Sequence, residues 1–545
     1  MKELKQIMCF VWPFFKPYKK TVVPFFIFSI IYFLFSTVDA LALGWLIDSM
    51  LYKQTVSSIV TCSIIFFILS IMSFALCYFV KINGQRTADL TGAECKKQLA
   101  KHIQETSLSY SSTAGSSSFM NQLNSDAALL MIFAANSALQ LIGKIVIFLI
   151  TIIIVFHIDI VCGIAALLEM PFVFLLYKAF SRKLLSISHE VAENRNRYFV
   201  RLFEMLRDLR YIKLNALSDE TANRFAEQAA KTVKVDEKET KLEFVYSYIQ
   251  GNMDVLLKIF LFFYGGISVI QGNISVGNFT IIYSYYRIIT ESFAYFLNFG
   301  SQIQENYAYY ERLNKIVQTP EESNGSRQLE QIHKICLENV SFGYGEGKVL
   351  QNFSYQFERG KLYCIVGENG CGKSTLTMLI SGIYIDEFEG KILYDGYSIK
   401  ELNMKALRHK KLGICEQEPI LIVDTLRYNM TYENDPSADE TLMQLAKQVS
   451  IDDFLNSTEK GLDFRLGEGR SNLSGGQKQK IALIKAFFKN PDVLVLDEPT
   501  SAMDAEGRTR IISYLQQCKK NKIILTVTHD PELIEAADEV VRMGA

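Results

Sequence analysis

A glycine-rich stretch in the last third of this 545-residue sequence has the residue types needed to bind phosphate groups. The short apolar run 364–366, a predicted strand, leads directly into Gly367–Thr375, which fits the pattern GxxxxGK followed by Ser or Thr. Glycines let backbone N–H groups surround phosphate oxygens, and the N-terminus of the following helix adds a favourable dipole. We expect Lys373 to reach the β- and γ-phosphates of ATP and the Ser374 hydroxyl to bind Mg²⁺. The predicted phosphate loop comprises Gly367, Glu368, Asn369, Gly370, Cys371, Gly372, Lys373, Ser374 and Thr375.

Two acidic residues follow a second apolar run, residues 493–496. Phosphate hydrolysis with Mg²⁺ needs one carboxylate near the metal and one base to align or deprotonate water. We assign Asp497 to the metal and Glu498 to the water. The alternative is that both acids merely end a strand, and the phosphate loop upstream in the same domain argues against it.

A second predicted anion site is the segment Leu473–Gln477, which precedes an apolar helical pattern. Its residues, Leu-Ser-Gly-Gly-Gln, are the signature of ABC ATPases, and the chain resembles that family. In the family, this segment closes on the γ-phosphate held by the opposite subunit. The resemblance therefore implies an ATP site completed by a second subunit, with ATP contacts from Ser474, Gly475, Gly476 and Gln477.

Further matches follow the order of the motifs in the family. Tyr344 corresponds to the aromatic residue that stacks on adenine, and Gln417 to the Q-loop glutamine, which implies a catalytic role and contact with Mg²⁺. The segment Ser501–Asp504 resembles the D-loop, with Met in place of the commoner Leu and with Asp504 near the nucleotide. His529 corresponds to the switch histidine, a neutral donor to the γ-phosphate. Residues 467–469 resemble the exporter-specific X-loop.

The first 300 residues contain repeated apolar runs, each about as long as the 20 residues that cross a bilayer as a helix. The six predicted spans are residues 21–46, 58–80, 136–156, 160–180, 249–270 and 277–299. We predict an all-α six-helix membrane domain of the exporter type, with long intracellular helices, in residues 1–322. An α/β P-loop ATPase domain is predicted in residues 330–545, after a polar linker at 319–327.

The links between the spans alternate in length and charge. The odd-numbered links are short and contain a single Lys or Arg, Lys53, whereas links 81–135 and 181–248 are long and rich in both residues. The positive-inside rule therefore places the long links, both termini and the ATPase domain in the cytoplasm, in a cell inner or plasma membrane. The long links have helical periodicity and read as continuations of the membrane helices.

The N-terminal segment is predicted to be an amphipathic helix on the inner membrane surface and not a cleaved signal. Its aromatic residues at the headgroups would be Trp12, Phe14 and Phe15, and its lysines on phosphates would be Lys16, Lys19 and Lys20.

Two short segments of the long links are candidates for contact with the ATPase, residues 109–118 and 206–213. The second resembles the coupling-helix region of ABC exporters; the alternative is an ordinary turn.

Composition excludes several other classes. The net charge is −1, so no global field favours nucleic acid. The ten cysteines show no CxxC pair, which argues against a disulfide framework or a zinc site. Cys371 is read as a small residue that fits the phosphate loop, with a redox switch as the alternative. Because the sequence ends sixteen residues after His529, we expect the usual C-terminal helix of the family to be missing or very short. We also expect no N-terminal peptidase domain, so a peptide cargo would not have its leader trimmed here.

The leading functional hypothesis is a homodimeric, ATP-hydrolysing exporter that works by alternating access. Its partners would be a second copy of the chain, membrane lipids and a transported substrate; a mixed pair of chains is disfavoured because every motif is intact. The alternatives are a multidrug or lipid exporter, an ATP-gated channel or regulatory subunit, and an importer built on the exporter fold.

Ionisable residues within the predicted spans bear on the cargo, because buried charge in a membrane is a candidate for function. Four lie near mid-membrane: Lys144, Glu169, Lys258 and Arg287. Three more lie within spans: Asp39, Asp254 and Glu291. A wet cavity for an amphipathic, charged cargo, with a small peptide as the leading candidate, is one explanation. The other is internal pairing of residues 254 with 258 and 287 with 291. Helical spacing also places Tyr283, Tyr286 and Arg287 on one predicted face.

Overall fold

The computed structural model describes residues 2–53, 55–110, 119–120, 122–345, 347–458, 460–467, 473–501 and 503–544. The chain divides into two compact units. Unit 1 comprises Met1–His102 and Ser117–Gln318, and unit 2 comprises Ile103–Ser116 and Thr319–Ala545. Most of the predicted contact segment 109–118 lies outside the described residues.

The described part of unit 1 is built from helices. They are α1 (Lys2–Phe15), α2 (Lys19–Asp48), α3 (Val56–Glu105), α4 (Ala127–Ile132), α5 (Ala138–Ile158), α6 (Ile160–Arg207), α7 (Leu209–Leu214), α8 (Ser218–Ile270) and α9 (Val276–Gln318). The three helices that carry the long links are among the longest: α3, α6 and α8 have 50, 48 and 53 residues. At 1.5 Å per residue, α8 is about 80 Å long, so membrane helices do continue through the links, as predicted.

Five helical stretches are long and apolar enough to cross a membrane in the described part of the chain. They are Lys2–Tyr52, Val56–Glu105, Gln122–Ile158, Ile160–Arg207 and Ser218–Ile270. The sixth predicted span, 277–299, lies in α9, a helix of 43 residues that is not among these five stretches. Long helices are therefore present at all six predicted spans, and apolarity alone identifies five of them.

The connection between α2 and α9 depends on two glycines and one carboxylate. A Cβ added at Gly277 would lie 2.2 Å from the carbonyl oxygen of Gly44, so the two backbones touch at a point where no side chain fits. Asp48 accepts hydrogen bonds from the backbone N–H of Gly277 at 2.7 Å and from the Ser275 hydroxyl at 2.6 Å. Asp48 therefore satisfies a donor in the first turn of α9 that has no partner within the helix.

Helix α1 packs against protein on the side that was expected to face headgroups. Phe14 and Phe15 are buried, together with Ile7 and Val11. The predicted position of these two aromatic residues at the headgroups is wrong because they are part of the apolar side of α1, which is buried within unit 1. Trp12 is exposed, as expected.

Unit 2 contains two sheets and the helices around them, as predicted for an α/β ATPase domain. Its strands are β1 (Lys334–Tyr344), β2 (Gly347–Glu358), β3 (Leu362–Gly367), β4 (Glu389–Tyr394), β5 (Tyr397–Ser398), β6 (Leu412–Cys415), β7 (Val493–Asp497), β8 (Ile523–Val527) and β9 (Glu539–Met543). Its helices are α10 (Lys373–Ile380), α11 (Met404–Lys410), α12 (Leu426–Thr431), α13 (Asp439–Gln448), α14 (Asp452–Ser457), α15 (Gly475–Phe488), α16 (Ala505–Cys518) and α17 (Pro531–Glu535).

The order of the strands brings the predicted motifs to one edge. The antiparallel sheet runs β2-β1-β4-β5, and the parallel sheet runs β6-β7-β8-β3-β9. Strands β7, β8 and β3 are neighbours, and in parallel strands the carboxyl ends lie at the same edge. The carboxyl ends of these three strands and the loops that follow them carry Asp497 with Glu498, His529, and the phosphate loop.

A short piece of the long link 81–135, Ile103–Ser116, belongs to unit 2 and includes the end of α3. The carbonyl of Glu105 accepts a hydrogen bond from the backbone N–H of Glu322 at 2.7 Å, and the Glu105 side chain lies 3.8 Å from Lys405. The linker is also fixed to unit 2, since Arg408 makes two hydrogen bonds to the Glu322 carboxylate at 2.8 and 2.9 Å. The predicted domain ranges 1–322 and 330–545 stay a prediction.

Candidate functional site

The phosphate loop follows a buried strand and contains two positions whose backbone conformation favours glycine. Leu362, Tyr363, Cys364 and Ile365 of β3 are buried. Gly370 and Gly372 have φ angles of +86° and +97°, a left-handed region that other residues rarely adopt. The loop therefore turns tightly before α10 begins at Lys373.

Lys373 is folded over this loop. Its ammonium group donates to the backbone carbonyls of Gly367 at 2.8 Å and Glu368 at 2.9 Å, and the residue is 9% exposed. A flexible cation held over the loop only by neutral carbonyls can be drawn to phosphate oxygens, which make stronger, charge-assisted bonds. This position fits the role predicted for Lys373.

The two predicted Mg²⁺ ligands from distant parts of the chain are in direct contact. The Ser374 hydroxyl donates to Oδ2 of Asp497 at 2.8 Å. Burial raises the pKa of Asp497, and the hydrogen bond from Ser374 and the charge of Lys373 oppose that shift. A hydroxyl and a carboxylate are oxygen ligands of the kind that Mg²⁺ prefers, so the residues fit this metal.

Glu498 sits at the end of β7 in a left-handed conformation, with φ of +49°. Its N–H donates to the carbonyl of Val527 at 2.8 Å, which ties it to β8. Burial raises the pKa of Glu498; the nearby His529 lowers it, and the Asp497 charge raises it further. A carboxylate whose pKa lies nearer neutrality is a better general base.

Gln479, which was not among the residues selected from the sequence, forms a hydrogen bond with the backbone of Glu498. Gln479 is 2% exposed, and its amide donates to the Glu498 carbonyl at 2.5 Å and to the Ser501 hydroxyl at 3.2 Å. The available signal was its place on α15. Gln479 is spaced i, i+4 and i, i+8 from the apolar Leu483 and Phe487, which places a polar side chain on the buried face of the helix.

The signature segment forms the start of α15. Ser474 accepts a hydrogen bond from the N–H of Gln477 at 3.2 Å, and the Gln477 side chain accepts one from the N–H of Ser474 at 2.8 Å. This reciprocal cap fixes the first turn, while Ser474 and Gly475 are exposed. Asp504 similarly caps α16 by accepting from the N–H of Gly507 at 3.1 Å.

The remaining predicted residues differ in whether they contact the phosphate loop. The Tyr344 and Thr375 hydroxyls lie 3.3 Å apart, and Tyr344 is 51% exposed. Gln417 is exposed two residues beyond β6, and His529 follows β8. The D-loop residue Ala502 and the X-loop residues 468–469 lie outside the described residues.

A separate cavity of about 850 Å³ lies in unit 1. Five of the seven ionisable residues singled out from the sequence line it: Asp39, Lys144, Lys258, Arg287 and Glu291. Lys81 also lines it, and the sequence analysis missed this residue because it falls just beyond the second predicted span. Both predicted pairs form: Lys258 lies 2.7 Å from Asp254, and Arg287 lies 3.8 Å from Glu291.

Glu169 is not among the residues that line this cavity. It is buried, and its Oε2 accepts hydrogen bonds from the Tyr286 hydroxyl at 2.7 Å and the Thr290 hydroxyl at 3.1 Å. The predicted shared face of Tyr283, Tyr286 and Arg287 is wrong as well. Tyr283 and Arg287 line the cavity, whereas Tyr286 turns about 100° from Arg287 around the helix and packs on Glu169.

Comparison with known proteins agrees with this arrangement. The family described as "ABC transporter transmembrane region" matches residues 22–293, and the family described as "ABC transporter" matches residues 350–501. The chain is 26% identical to an ATP-dependent lipid A-core flippase of Syntrophus aciditrophicus, over 84% of this chain and 76% of the relative. It is 25% identical to a putative multidrug export ATP-binding/permease protein of Bacillus subtilis, over 100% of this chain and 95% of that one.

A solved structure shares the fold along nearly the whole chain. The ATP-bound structure of a bacterial Atm1-family ABC exporter matches with a TM-score of 0.81 and 20% identity, over 97% of this chain and 94% of that chain. Helices of spanning length, the strand–loop–helix phosphate site and two family matches in sequence order therefore lead to one conclusion. This multi-pass membrane chain belongs to the ABC transporter family and has the fold of an exporter of that family, with its ATP-hydrolysing domain joined to the membrane region.

Proposed function

We propose that two copies of this chain form a homodimer that hydrolyses ATP with Mg²⁺ and exports an amphipathic, peptide-like cargo by alternating access. The observation that carries the ATPase part is the 2.8 Å hydrogen bond between Ser374 and Asp497, beside Glu498. It joins the phosphate loop to the acid pair across more than a hundred residues of sequence. The residues needed for metal binding and for water activation thus lie next to each other.

The residue roles are as follows. Lys373 and the loop N–H groups bind the phosphates, and Tyr344 stacks on the adenine. Mg²⁺, when bound by Ser374, Asp497 and Gln417, neutralises phosphate charge. Glu498 takes the proton of the attacking water, and His529 donates a hydrogen bond to the γ-phosphate.

The homodimer is supported by the exposed signature. Ser474 is the N-cap of a 14-residue helix that begins at Gly475, and hydrogen bonds between Ser474 and Gln477 cap its first turn. The remaining first-turn N–H groups of such a helix favour an anion, such as the γ-phosphate of a partner's ATP. Because Glu498 and the signature are both intact, both sites of a homodimer can hydrolyse ATP.

The proposed location is the inner or plasma membrane with both termini and the ATPase in the cytoplasm. The distribution of Lys and Arg between the short and long links supports this orientation.

The cargo enters through the charged cavity of unit 1. Its polar and charged lining suits an amphipathic molecule such as a small peptide better than a purely apolar one. The second candidate is a lipid or multidrug exporter, and the names of the two relatives favour it. An ATP-gated channel or regulatory subunit is disfavoured because Glu498 and His529 are intact.

The decisive test is Glu498→Gln in the full chain reconstituted in liposomes. We expect ATP hydrolysis to fall by a factor of about a hundred or more, because the base is lost, while ATP binding is retained. Hydrolysis and equilibrium ATP binding are measured on the same preparation. Glu506→Gln, an exposed position on α16, is the matched control and should hydrolyse ATP like the parent. Hydrolysis by Glu498→Gln at the parental rate would remove Glu498 from its role.

A further inference from the structure

We propose that the cavity of unit 1 binds the anionic group of an amphipathic cargo between Lys144 and Arg287. This inference rests on the proposed transport function and adds the sign of the cargo's charge and the side chains that recognise it. The carboxylate at the end of a peptide and the acidic headgroup of a lipid-like molecule share this chemistry.

The cavity has more positive than negative side chains. Four cationic side chains line it: Lys81, Lys144, Lys258 and Arg287. Two carboxylates line it: Asp39 and Glu291. Charge inside a membrane region is unfavourable unless it is paired, so the excess of cations needs a partner.

The pairing of these cations identifies the ones available for a ligand. Lys258 lies 2.7 Å from Asp254 on its own helix and is neutralised there. Lys144 and Arg287 instead share one carboxylate, that of Glu291, at 3.9 and 3.8 Å. The triad of Lys144, Arg287 and Glu291 carries one net positive charge. Both separations exceed a hydrogen-bond distance, so Glu291 does not occupy the donors of either cation.

The donors of this triad are not used within the described part of the chain. There, neither the Lys144 nor the Arg287 side chain donates a hydrogen bond, and the Arg287 side chain is 77% exposed. The planar guanidinium can bind a carboxylate or phosphate through two parallel hydrogen bonds, and Lys144 adds a third charged donor. Within this triad, a cationic ligand would be repelled by Lys144 and Arg287 and attracted only by Glu291.

The rest of the lining fits the apolar part of the same ligand. Aromatic and aliphatic side chains form much of the wall, among them Phe33, Phe66, Leu139, Ile147 and Ile288. A volume of about 850 Å³ is in the range of sites for small molecules. One charged group and one apolar body can therefore be accommodated together.

The probes are three molecules that differ in charge or in apolar length. N-dodecanoylglycine has a carboxylate, N-dodecanoylglycinamide has the same tail without the charge, and N-acetylglycine has the charge without the tail. Equilibrium binding of each is measured to the full chain in nanodiscs of zwitterionic lipid, with empty nanodiscs subtracted. We expect the carboxylate to bind at least about tenfold tighter than the amide, and N-acetylglycine to bind more weakly than either.

Variants of the triad are expected to change the affinity for the carboxylate in opposite directions. Arg287→Gln and Lys144→Gln should each weaken binding of the carboxylate about tenfold and leave the amide unchanged. Glu291→Gln removes the competing anion, so it should strengthen binding of the carboxylate. Arg287→Lys keeps the charge and should retain most of the affinity. Arg197→Gln, which opens an exposed i,i+4 pair with Glu193 outside the cavity, is the matched control and should bind like the parent.

The outcomes separate this inference from the proposed function. Equal binding of carboxylate and amide by the parent, or weaker carboxylate binding by Glu291→Gln, overturns the inference whatever the ATPase does. A parent that binds the carboxylate as expected but does not hydrolyse ATP leaves the site standing and rejects ATP-driven transport. If Arg287→Gln does not fold, Glu291→Gln and Arg287→Lys still decide the question.

Discussion

Glu498 is positioned by its backbone more than by its side chain. Its N–H bonds to Val527, and its carbonyl accepts from Gln479 and from the Ser501 hydroxyl at 3.0 Å. A non-glycine residue in the left-handed region costs on the order of 1–3 kcal/mol, so these contacts must hold the turn against that strain. The carboxylate therefore starts from a fixed point at the end of β7.

The raised pKa of Glu498 predicts where activity is lost in acid. Burial favours the protonated form, and a protonated carboxyl cannot accept a proton from water. As the pH falls, kcat/KM for ATP should decline, and the midpoint of the decline should lie above the ordinary pKa of glutamate, about 4.3. The measurement is a pH profile of the reconstituted protein, repeated with His529→Gln to separate the histidine. An acid limb that lies at or below the ordinary glutamate value would contradict the prediction.

Gln479→Leu tests the support beneath Glu498. Loss of the amide leaves the Glu498 carbonyl with one donor fewer, so the turn can relax and the base can move from its position. We expect kcat to fall about tenfold, while the Kd for ATP stays within about twofold of the parent because no ATP contact is lost. Gln448→Leu, an exposed glutamine at the end of α13, is the control. A weaker affinity for ATP with normal kcat would assign Gln479 to nucleotide binding instead.

Residues with a strong local pattern were predictable, and residues with distant partners were not. Ser374 and Asp497 were each assigned to Mg²⁺ from a short motif, and their side chains are in contact. The surroundings of Glu169 were not predictable because its partner, Tyr286, lies 117 residues further along the chain. Gln479 was missed because its helical spacing indicates only that it is on the buried face of α15, and not that its partner is the backbone of Glu498.

At the scale of elements, α2 and α9 meet where both lack a side chain. Gly277→Ala would place its Cβ 2.2 Å from the Gly44 carbonyl, and backbone cannot yield as a flexible side chain does. We expect a loss of about 1–3 kcal/mol, typical of overpacking, seen as a lower thermal unfolding midpoint of the detergent-solubilised chain. Gly266→Ala on α8 is the control, because its Cβ would meet nothing within 4 Å.

The control should be neutral or stabilising, since alanine is the better helix former. Equal midpoints for the two variants would show that α2 and α9 separate easily.

The helices of unit 1 agree with most of the spans predicted from the sequence. Five of the six predicted spans are in long apolar helices because apolar length is read directly from composition, and the sixth lies within α9. The side that α1 buries was mistaken because an amphipathic pattern shows that one side is apolar without showing what covers it. Protein covers Phe14 and Phe15 there.

At the scale of the whole molecule, the proposal requires two chains for each complete site. We predict that a mixed dimer of a Lys373→Ala chain with a Ser474→Arg chain keeps one working site, since both lesions fall in the other site. A dimer of the parent with a doubly mutated chain should have one lesion in each site and be nearly inactive. The two dimers are purified through two different affinity tags, and their ATP hydrolysis is compared. Equal rates would rule out a signature supplied by the partner.

The family and the order of the two regions were predictable because each rests on contiguous motifs or apolar runs. The extent of unit 2 was not. Its contact between Glu105 and Glu322 joins backbone atoms across more than 200 residues, and nothing in the local sequence of either segment indicates it.

This discontinuity governs how the ATPase can be studied apart from the membrane. The chain passes from one unit to the other three times, and unit 2 includes Ile103–Ser116. A soluble fragment that starts at Thr319 would leave the N–H of Glu322 without its acceptor and Lys405 without its nearby carboxylate. Severing the linker alone would leave the two halves connected through the upstream peptide. Recombinant excision should therefore be accompanied by a synthetic peptide that carries Glu105 and the residues after it, added back in trans.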